Sequence, residues 1–591
     1  MTNNNHEVLG HPKGLFYLFF AELWERFSYY GMRALLTLYM VNEFFLYIKD
    51  ESAREEMSIG IFAAYGSLVY ATPIIGGMIA DKFIGFNKSI LLGGILMAIG
   101  HFFMAFYFDV SAWENGMFGM SITDINGIFF YSALALLIVG NGFFKPNIST
   151  MVGRLYPEGD KRRDSGFTIF YMGINIGAFL APLVCGYLGM SENWGWHYGF
   201  GAAGIGMLAG LIFFWKGLND GVFGNNGEQP EEYKKKKMYG LRTDYFFYLV
   251  AILMVPLSAL LVKYNAMDTL SLLSVNEFHL FVLSIILIYV LSTKNYLGGL
   301  YATIGYLMIP YLLAYFAGVH LHSALLISLL IIVLVLIGKK MTDLSKIEIF
   351  RLLTVLVLTL FITVFWSFFE LAGTAITLFA ERNVNLTLIN ASQTNAINPG
   401  YIMFLAIPFS LMWVALAKSG KNPRTPIKFA LGILQLGLGF LVLAMSAQFM
   451  DDNGKTPFLF LMLGYFLMTT GELFISPIGL SKVTELSPKK MTAFMMGVYF
   501  LSSSFAHYIS KFIANATISG SEDVPEPGFM TTIIEKVTGF TGATTDSTTE
   551  GVNSLLNYTS VFTQVGVVAI GMAILAFILS PILKKWMHGV H

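Results

Sequence analysis

The sequence predicts an all-α, polytopic membrane protein laid out as six spans, an insert of further spans, and six more spans. Three observations point there. Hydrophobic residues make up 55% of the 591-residue chain and charged residues only 13%, where soluble proteins carry about 25% charged residues. So few charges cannot cover so much apolar surface in water. Long apolar runs recur from end to end without alternating in polarity, which argues for helices rather than barrel strands. Basic residues collect in every second loop. The balance of 37 basic and 37 acidic residues lacks the basic excess that a nucleic-acid binder shows. Cys185 is the one cysteine, so no intramolecular disulfide and no cysteine metal cluster can form.

A hydrocarbon core of ~30 Å needs about 20 apolar residues per helix. Runs of that kind lie near 15–41, 57–80, 88–108, 128–153, 165–188 and 196–217. A second group lies near 244–263, 277–293, 297–316 and 320–338. A third follows near 348–380, 399–418, 427–449, 457–480, 491–515 and 560–583. The leading MTNNNHEVLGHPKG has no basic n-region, so the first run reads as a retained span and not as a cleaved leader.

Loop charge sets the expected orientation. Lys82 and Lys88, Arg154 with Lys161 to Arg163, Lys234 to Lys237 with Arg242, Lys339 and Lys340, Lys418 to Lys428, Lys482 to Lys490, and Lys584 with Lys585 share one side. Asp50 to Glu56, Asp451 with Asp452, and Glu522 with Asp523 mark the other. By the positive-inside rule both termini are cytoplasmic. The sixth run then exits inside and the run at 348 starts inside, so the insert holds an even number of spans: four are expected, with two as the alternative. The expected organisation is an N-terminal six-helix bundle over 1–217, a cytoplasmic linker with inserted helices over 218–347, and a C-terminal six-helix bundle over 348–591. Two bundles of this kind around a midplane site are the plan of many secondary transporters. The stretch 515–557, rich in Ser, Thr and Gly, reads as a solvated outer connection.

Ionisable residues inside spans are costly, at about 2.5–3.5 kcal/mol each on insertion scales. Glu22, Glu25, Arg26 and Arg33 in the first span, Lys145 in the fourth, and Glu370 and Glu472 in the last group stand out. At helical spacing Glu22, Glu25, Arg26, Tyr29 and Arg33 fall within a stripe about 100° wide, suited to facing a watery cavity. A structural ion pair is the alternative for Glu25 with Arg26 or Glu22. It is a weaker account of the whole set, because buried pairs seldom recover their desolvation cost. Four acids face three cations, and the unmatched acid is expected to hold a proton readily in a low-dielectric setting. A proton-coupled carrier needs such a site, and a zwitterionic solute suits a cavity with cations on one side and acids on the other.

The turn after the second span, GGMIADKFIG, places Asp81 at a helix end, where it can cap a neighbouring helix and hold one state of a rocking pair. Lys145-Pro146-Asn147 sets a lysine beside a helix-breaking proline whose freed backbone groups need polar partners. Asn175 and Asn398-Pro399 are further polar points in spans, which helix-to-helix hydrogen bonding alone would also explain. His11, His101, His197 and His507 show no metal spacing and are assigned no role. The aromatics are expected mostly at the lipid face and interfaces.

Glu22-Leu-Trp-Glu25-Arg26-Phe-Ser-Tyr29-Tyr30-Gly31 resembles the ExxERFxYYG motif of the proton-dependent oligopeptide transporter (POT) family, part of the major facilitator superfamily. The resemblance continues through Tyr70-Ala-Thr-Pro-Ile-Ile-Gly-Gly77-Met-Ile-Ala-Asp81, Phe143-Phe-Lys145-Pro-Asn-Ile-Ser, and Phe170-Tyr171-Met-Gly-Ile-Asn175-Ile-Gly177. It resumes at Phe365-Trp366-Ser-Phe-Phe-Glu370, Asn398-Pro399 and Gly471-Glu472-Leu-Phe-Ile-Ser476-Pro477. It covers nearly all of both six-span groups, while 244–340 carries no such motif. It implies the major facilitator fold and proton-driven uptake of di- and tripeptides by alternating access.

In the family Glu22, Glu25 and Arg26 resemble the proton-coupling residues, joined by Glu370. Arg33 and Lys145 resemble the cations that receive the peptide carboxylate. Glu472, Asn175 and Asn398 resemble the groups around the peptide amino terminus, and Tyr30, Tyr70 and Tyr171 the pocket tyrosines. Arg33 with Glu370, and Lys145 with Glu472, resemble the cross-bundle ion pairs that open and close with the gates, with Asp81 as a further gating residue. Two departures bear on side-chain preference: Leu371 stands where relatives often have Gln, and Tyr499 stands where a Trp commonly lines the pocket. The inserted helices are expected to pack outside the transport core.

The resemblance further implies a monomeric, multi-pass protein of the cell (inner) membrane, with no enzymatic activity, no cofactor or metal, and no nucleic-acid partner. A non-peptide solute such as nitrate, a drug or an amino-acid conjugate on the same scaffold is the alternative; an inorganic anion would gain nothing from Glu472. A polytopic membrane enzyme would need a loop bearing a metal or nucleophile, and the loops hold no such cluster of His, Asp and Glu.

Overall fold

The computed structural model describes residues 7–106, 121–157, 160, 162–264, 344–488, 492–518, 529–539 and 550–589, with isolated positions between 290 and 308. The first half is formed by α1 (Lys13–Tyr39), α2 (Glu51–Ile79), α3 (Phe86–Ala105), α4 (Ile122–Arg154), α5 (Arg163–Gly189) and α6 (Trp196–Asn219). A one-turn α7 (Glu231–Lys234) leads to α8 (Thr243–Lys263). The second half contains α9 (Lys346–Phe369), α10 (Ala375–Asn383), α11 (Ile397–Lys418), α12 (Thr425–Met445), α13 (Phe458–Leu486), α14 (Thr492–Asn515), α15 (Phe529–Thr538) and α16 (Glu550–Trp586).

Eleven helices among the described residues are long and apolar enough to cross a membrane. The charged α1 falls outside that set because of Glu22, Glu25, Arg26 and Arg33, and α14 because Ser502 to Ser504 and His507 lower its apolarity. Counting both, six spans precede α8, and α9 with α10 as one span, α11 to α14 and α16 supply six more. The protein is a multi-pass, all-helical membrane protein. Of the four spans expected in the insert, α8 matches the first; the runs at 277–293, 297–316 and 320–338 lie outside the described residues.

Local chemistry starts several helices. Asp50 accepts from the Ser52 amide at 3.2 Å ahead of α2, and Ser121 from the Asp124 amide at 3.1 Å ahead of α4. Ser345 and Glu348 form a reciprocal capping box at α9. Two short hairpins precede α1 and α8, with Leu9-Gly10 and Tyr239-Gly240 all at positive φ, as a two-residue turn of the twisted-ribbon type requires.

Within a bilayer, helices are held by close packing rather than by expulsion from water. The α2–α4 crossing shows how. Pro146 has no N–H, so the Gly142 carbonyl has no intrahelical donor, and Gly76 closes onto it. A Cβ at Gly76 would lie 2.0 Å from that oxygen. Nearby, Asn147 Nδ2 donates to the Phe143 carbonyl at 2.7 Å and to Ser89 Oγ of α3 at 2.8 Å. Asn147 thus serves the carbonyl next to the freed one, and the Gly142 oxygen itself packs against Gly76.

One apolar core lies in the first half and joins Leu15, Phe27, Met97, Phe144 and Phe200; the other joins Phe365, Phe379, Phe440, Tyr465 and Phe562 of the second half and also takes in Leu38, Val41 and Ile59 of the first. Many aromatics thus fill the interior, contrary to the expectation that they mostly face lipid or the interfaces. The helix α8 docks on the flank of the first half, where Phe247 stacks on Phe83 at 4.9 Å and Asp244 accepts from Lys88 at 2.5 Å.

Two further departures have physical causes. The run expected as one span over 348–380 stops at Phe369; a 3-10 turn over Glu370–Gly373 and an irregular Thr374 (φ −130°, ψ −96°) separate it from α10. The stretch expected as a solvated connection over 515–557 contains α15 and the start of α16. In α15, Ile533, Ile534 and Val537 repeat at helical spacing, and Val537 packs on the second core; in α16, Val552 and Leu555 are buried. Serine and threonine content masked that periodicity.

Candidate functional site

The charges singled out on α1 are buried. Glu22, Glu25 and Arg26 are each at most 2% exposed. Arg26 forms a two-pronged pair with Glu25, and its Nε lies 3.4 Å from Glu22 Oε1. Glu22 Oε2 has no hydrogen-bond partner among the described residues. The guanidinium of Arg26 lies over Tyr29 at 5.1 Å and Tyr30 at 5.9 Å, an arrangement that supports a buried cation on ring faces. The stripe expected to face a cavity is therefore packed within the first half at its Glu22–Arg26 end.

Farther along the same helix the stripe meets the second half. Arg33 pairs with Glu370 at the end of α9, and its guanidinium lies 5.4 Å from the Phe62 ring of α2. Thr37 Oγ1 donates to the Gly373 carbonyl at 2.7 Å. A Cβ on Gly373 would lie 2.3 Å from Phe62, so the 3-10 turn that interrupts the span lets Glu370 reach α1.

The second expected cross-half pair is absent in this conformation. Lys145 Nζ sits over the Tyr70 ring at 5.0 Å. Glu472 accepts from Asn398 Nδ2 at 2.9 Å, and the same amide donates to Thr469 at 3.0 Å. Each partner is satisfied within its own half, one by a ring face and the other by an amide, so the ion pair is not needed to offset burial. Asn175, 6% exposed, donates to the Tyr171 carbonyl within α5 at 3.0 Å. Tyr171 is 45% exposed, and Tyr499 packs against Gly479 and the second core. Asp81 is exposed and 3.4 Å from Arg154, the last residue of α4 in its own half.

The hydrogen bonds and ion pairs that join the halves gather at one end of the molecule, the end carrying Asp50 and Asp451. Arg382 reaches Glu51 at 2.5 Å and also Glu55. Asn42 donates to Glu381 at 2.8 Å, and Asn390 and Gln393 donate to the Gly186 and Leu183 carbonyls at 3.0 and 3.1 Å. Ser67 and Ser504 exchange side chain-to-carbonyl bonds, both 2.9 Å. Sequence reasoning missed Arg382 and its partners, which sit near span ends where charge is unremarked. It also missed His507, whose Nε2 lies 3.6 Å from Glu370. An ionisable side chain inside a span was the available signal, and the absence of metal spacing obscured it. No group of three His, Cys, Asp or Glu able to hold a metal occurs among the described residues.

A family model described as the POT family matches residues 87–237 and 314–530. An uncharacterized transporter of Bacillus subtilis (strain 168), YclF, is 32% identical over 588 residues, covering 98% of this chain and 96% of the relative. A di-/tripeptide transporter of Lactococcus lactis subsp. cremoris is 31% identical, over 86% of this chain and 90% of the relative. Among solved structures, a peptide transporter POT in complex with sulfate matches with a TM-score of 0.67 and 29% identity, over 99% of this chain and 97% of that one.

Proposed function

The chain belongs to the POT family, and from that premise we propose that it carries di- and tripeptides into the cell together with protons by alternating access. One observation carries the proposal: two partly buried cations, Arg33 and Lys145, stand on the first half and two buried acids, Glu370 and Glu472, on the second. A peptide zwitterion has a carboxylate for the cations and an ammonium for the Glu472–Asn398 pair. An inorganic anion would gain nothing from Glu472, whose carboxylate would keep only the Asn398 amide and meet no cation.

In this proposal Lys145 and Arg33 receive the peptide carboxylate, and Glu472 with Asn398 and Asn175 receives the amino terminus. Tyr30, Tyr70, Tyr171 and Tyr499 line the space between. Glu22, Glu25, Arg26 and Glu370 exchange the proton, and the partnerless oxygen of Glu22 supports a role in holding it. Asp81 with Arg154 acts at the hinge end of the first half. The protein resides in the cell membrane as a monomer, with both termini cytoplasmic as loop charge favours. The end clasped by Arg382 is then the outer one, and the separated Lys145 and Glu472 belong to a state open toward the cytoplasm. The inserted helices stay outside the cycle, as the position of α8 on the flank of the first half supports.

Uptake of labelled di-alanine into proteoliposomes tests the proposal. Uptake that rises with an inward proton gradient and is blocked by excess unlabelled tripeptide is expected. Correctly inserted protein that takes up no di-alanine under that gradient would reject peptides as the solute.

A further inference from the structure

The residue His507 of α14 lies at the seam between the halves. It is 1% exposed, and its Nε2 is 3.6 Å from Glu370 Oε1, while the other oxygen of that carboxylate holds Arg33. Its ring stacks on Tyr70 of α2 at 5.3 Å and meets the Phe62 ring edge-on at 6.3 Å. The space exists because residue 66 is glycine: a Cβ there would lie 2.6 Å from Nδ1. Neither ring nitrogen has a hydrogen-bond partner among the described residues. A buried imidazole with both nitrogens unsatisfied costs stability, and a phenylalanine or leucine would fill the same space without that cost.

We propose that His507 is a further proton-carrying residue of the transport cycle, which takes up a proton and passes it to Glu370 so that the Arg33–Glu370 pair is released. This rests on the reading of the protein as a proton-coupled peptide carrier. The proton arrives from water on Nε2 of the neutral ring when the clasped end is open. It then leaves Nε2 for Oε1 of Glu370, which restores the neutral imidazole and leaves a neutral carboxyl opposite Arg33. The separation must shorten by roughly half an ångström to become a hydrogen bond.

The charged surroundings favour passage over retention. Arg33 of α1 lies across Glu370, Lys145 of α4 sits over the Tyr70 ring, and Lys511 is one turn along α14. Tyr70 and Phe62 face the ring from α2, and Glu370 alone faces it with negative charge. A proton on the ring is opposed by Arg33 and has one acceptor at hand, the Glu370 carboxylate, to which it moves on.

Wild-type protein, His507→Gln, His507→Asn, Glu370→Gln and the double variant Glu370→Gln/His507→Gln are reconstituted into proteoliposomes. Labelled di-alanine is followed under a proton gradient and in gradient-free exchange. Both His507 variants are expected to lose gradient-driven accumulation while exchange continues, and the double variant to be no worse than the more impaired single one. Gradient-driven accumulation in the His507 variants with the wild-type pH profile would overturn the assignment. Loss of exchange in both variants would assign His507 to packing and overturn it equally. A wild type that does not respond to the gradient would fail the symport reading itself and take the His507 assignment with it. A gradient-driven wild type beside unaltered variants would fail the His507 assignment alone.

Discussion

The carboxylate of Glu472 has an amide partner and no cation at hand, whereas Glu25 and Glu370 are each bound to an arginine. In the proposed cycle Glu472 is therefore the acid that accepts the peptide ammonium. Glu472→Gln is expected to weaken peptide binding by the worth of a hydrogen bond to a charged group, about 1.5–3 kcal/mol, or roughly ten- to a hundredfold in Kd. Binding competition with free and amino-blocked peptides reads it: the blocked peptide should lose little, and unchanged affinity for the free amino terminus would contradict the assignment. Glu22→Gln should abolish gradient-driven accumulation while exchange of labelled peptide continues; loss of both would contradict a role confined to coupling. These residues were legible because a charge in a span is costly and calls for a reason. Of the two pairings that the family resemblance implied, Arg33–Glu370 is formed and Lys145–Glu472 is not, because packing leaves Lys145 over Tyr70. His507 was passed over because a metal was the only role considered for it.

At the scale of elements, the α2–α4 crossing depends on one missing methyl group. Pro146 leaves the Gly142 carbonyl unpaired within its helix, and Gly76 lets α2 approach it. Gly76→Ala forces a methyl group into backbone that cannot yield, an overpacking change worth about 1–3 kcal/mol. The thermal midpoint of the purified protein in detergent should fall, and an unchanged midpoint would show that the helices separate there without cost. Most spans could be located from apolar run length alone: 165–188 was expected and Arg163–Gly189 is found, and 196–217 became Trp196–Asn219. The break after Phe369 was not legible, because its cause is the close approach of Phe62 to Gly373, a contact between residues far apart in sequence. The helix Phe529–Thr538 was legible in principle, through its apolar spacing, but polar composition was given more weight than period.

For the whole molecule, two halves meet at one clasped end, through Arg382 with Glu51 and Glu55, Asn42 with Glu381, and Arg33 with Glu370. Two halves whose described polar contacts gather toward one end fit one state of a rocking pair. Apolar run length made the six spans before α8 and the six after it readable in advance, while the even number expected for the insert falls outside the described residues. Run length and loop charge carry no information about which end is closed, because that depends on the free-energy difference between two packings of the same sequence. The central claim is that peptide and proton cross together. Its most direct test opposes an outward peptide gradient to an inward proton gradient in proteoliposomes and finds the peptide ratio at which net flux stops. Coupled transport predicts a stopping ratio with more peptide inside than outside, rising as the proton gradient is steepened. A flux that always stops at equal peptide concentrations, whatever the proton gradient, would contradict it.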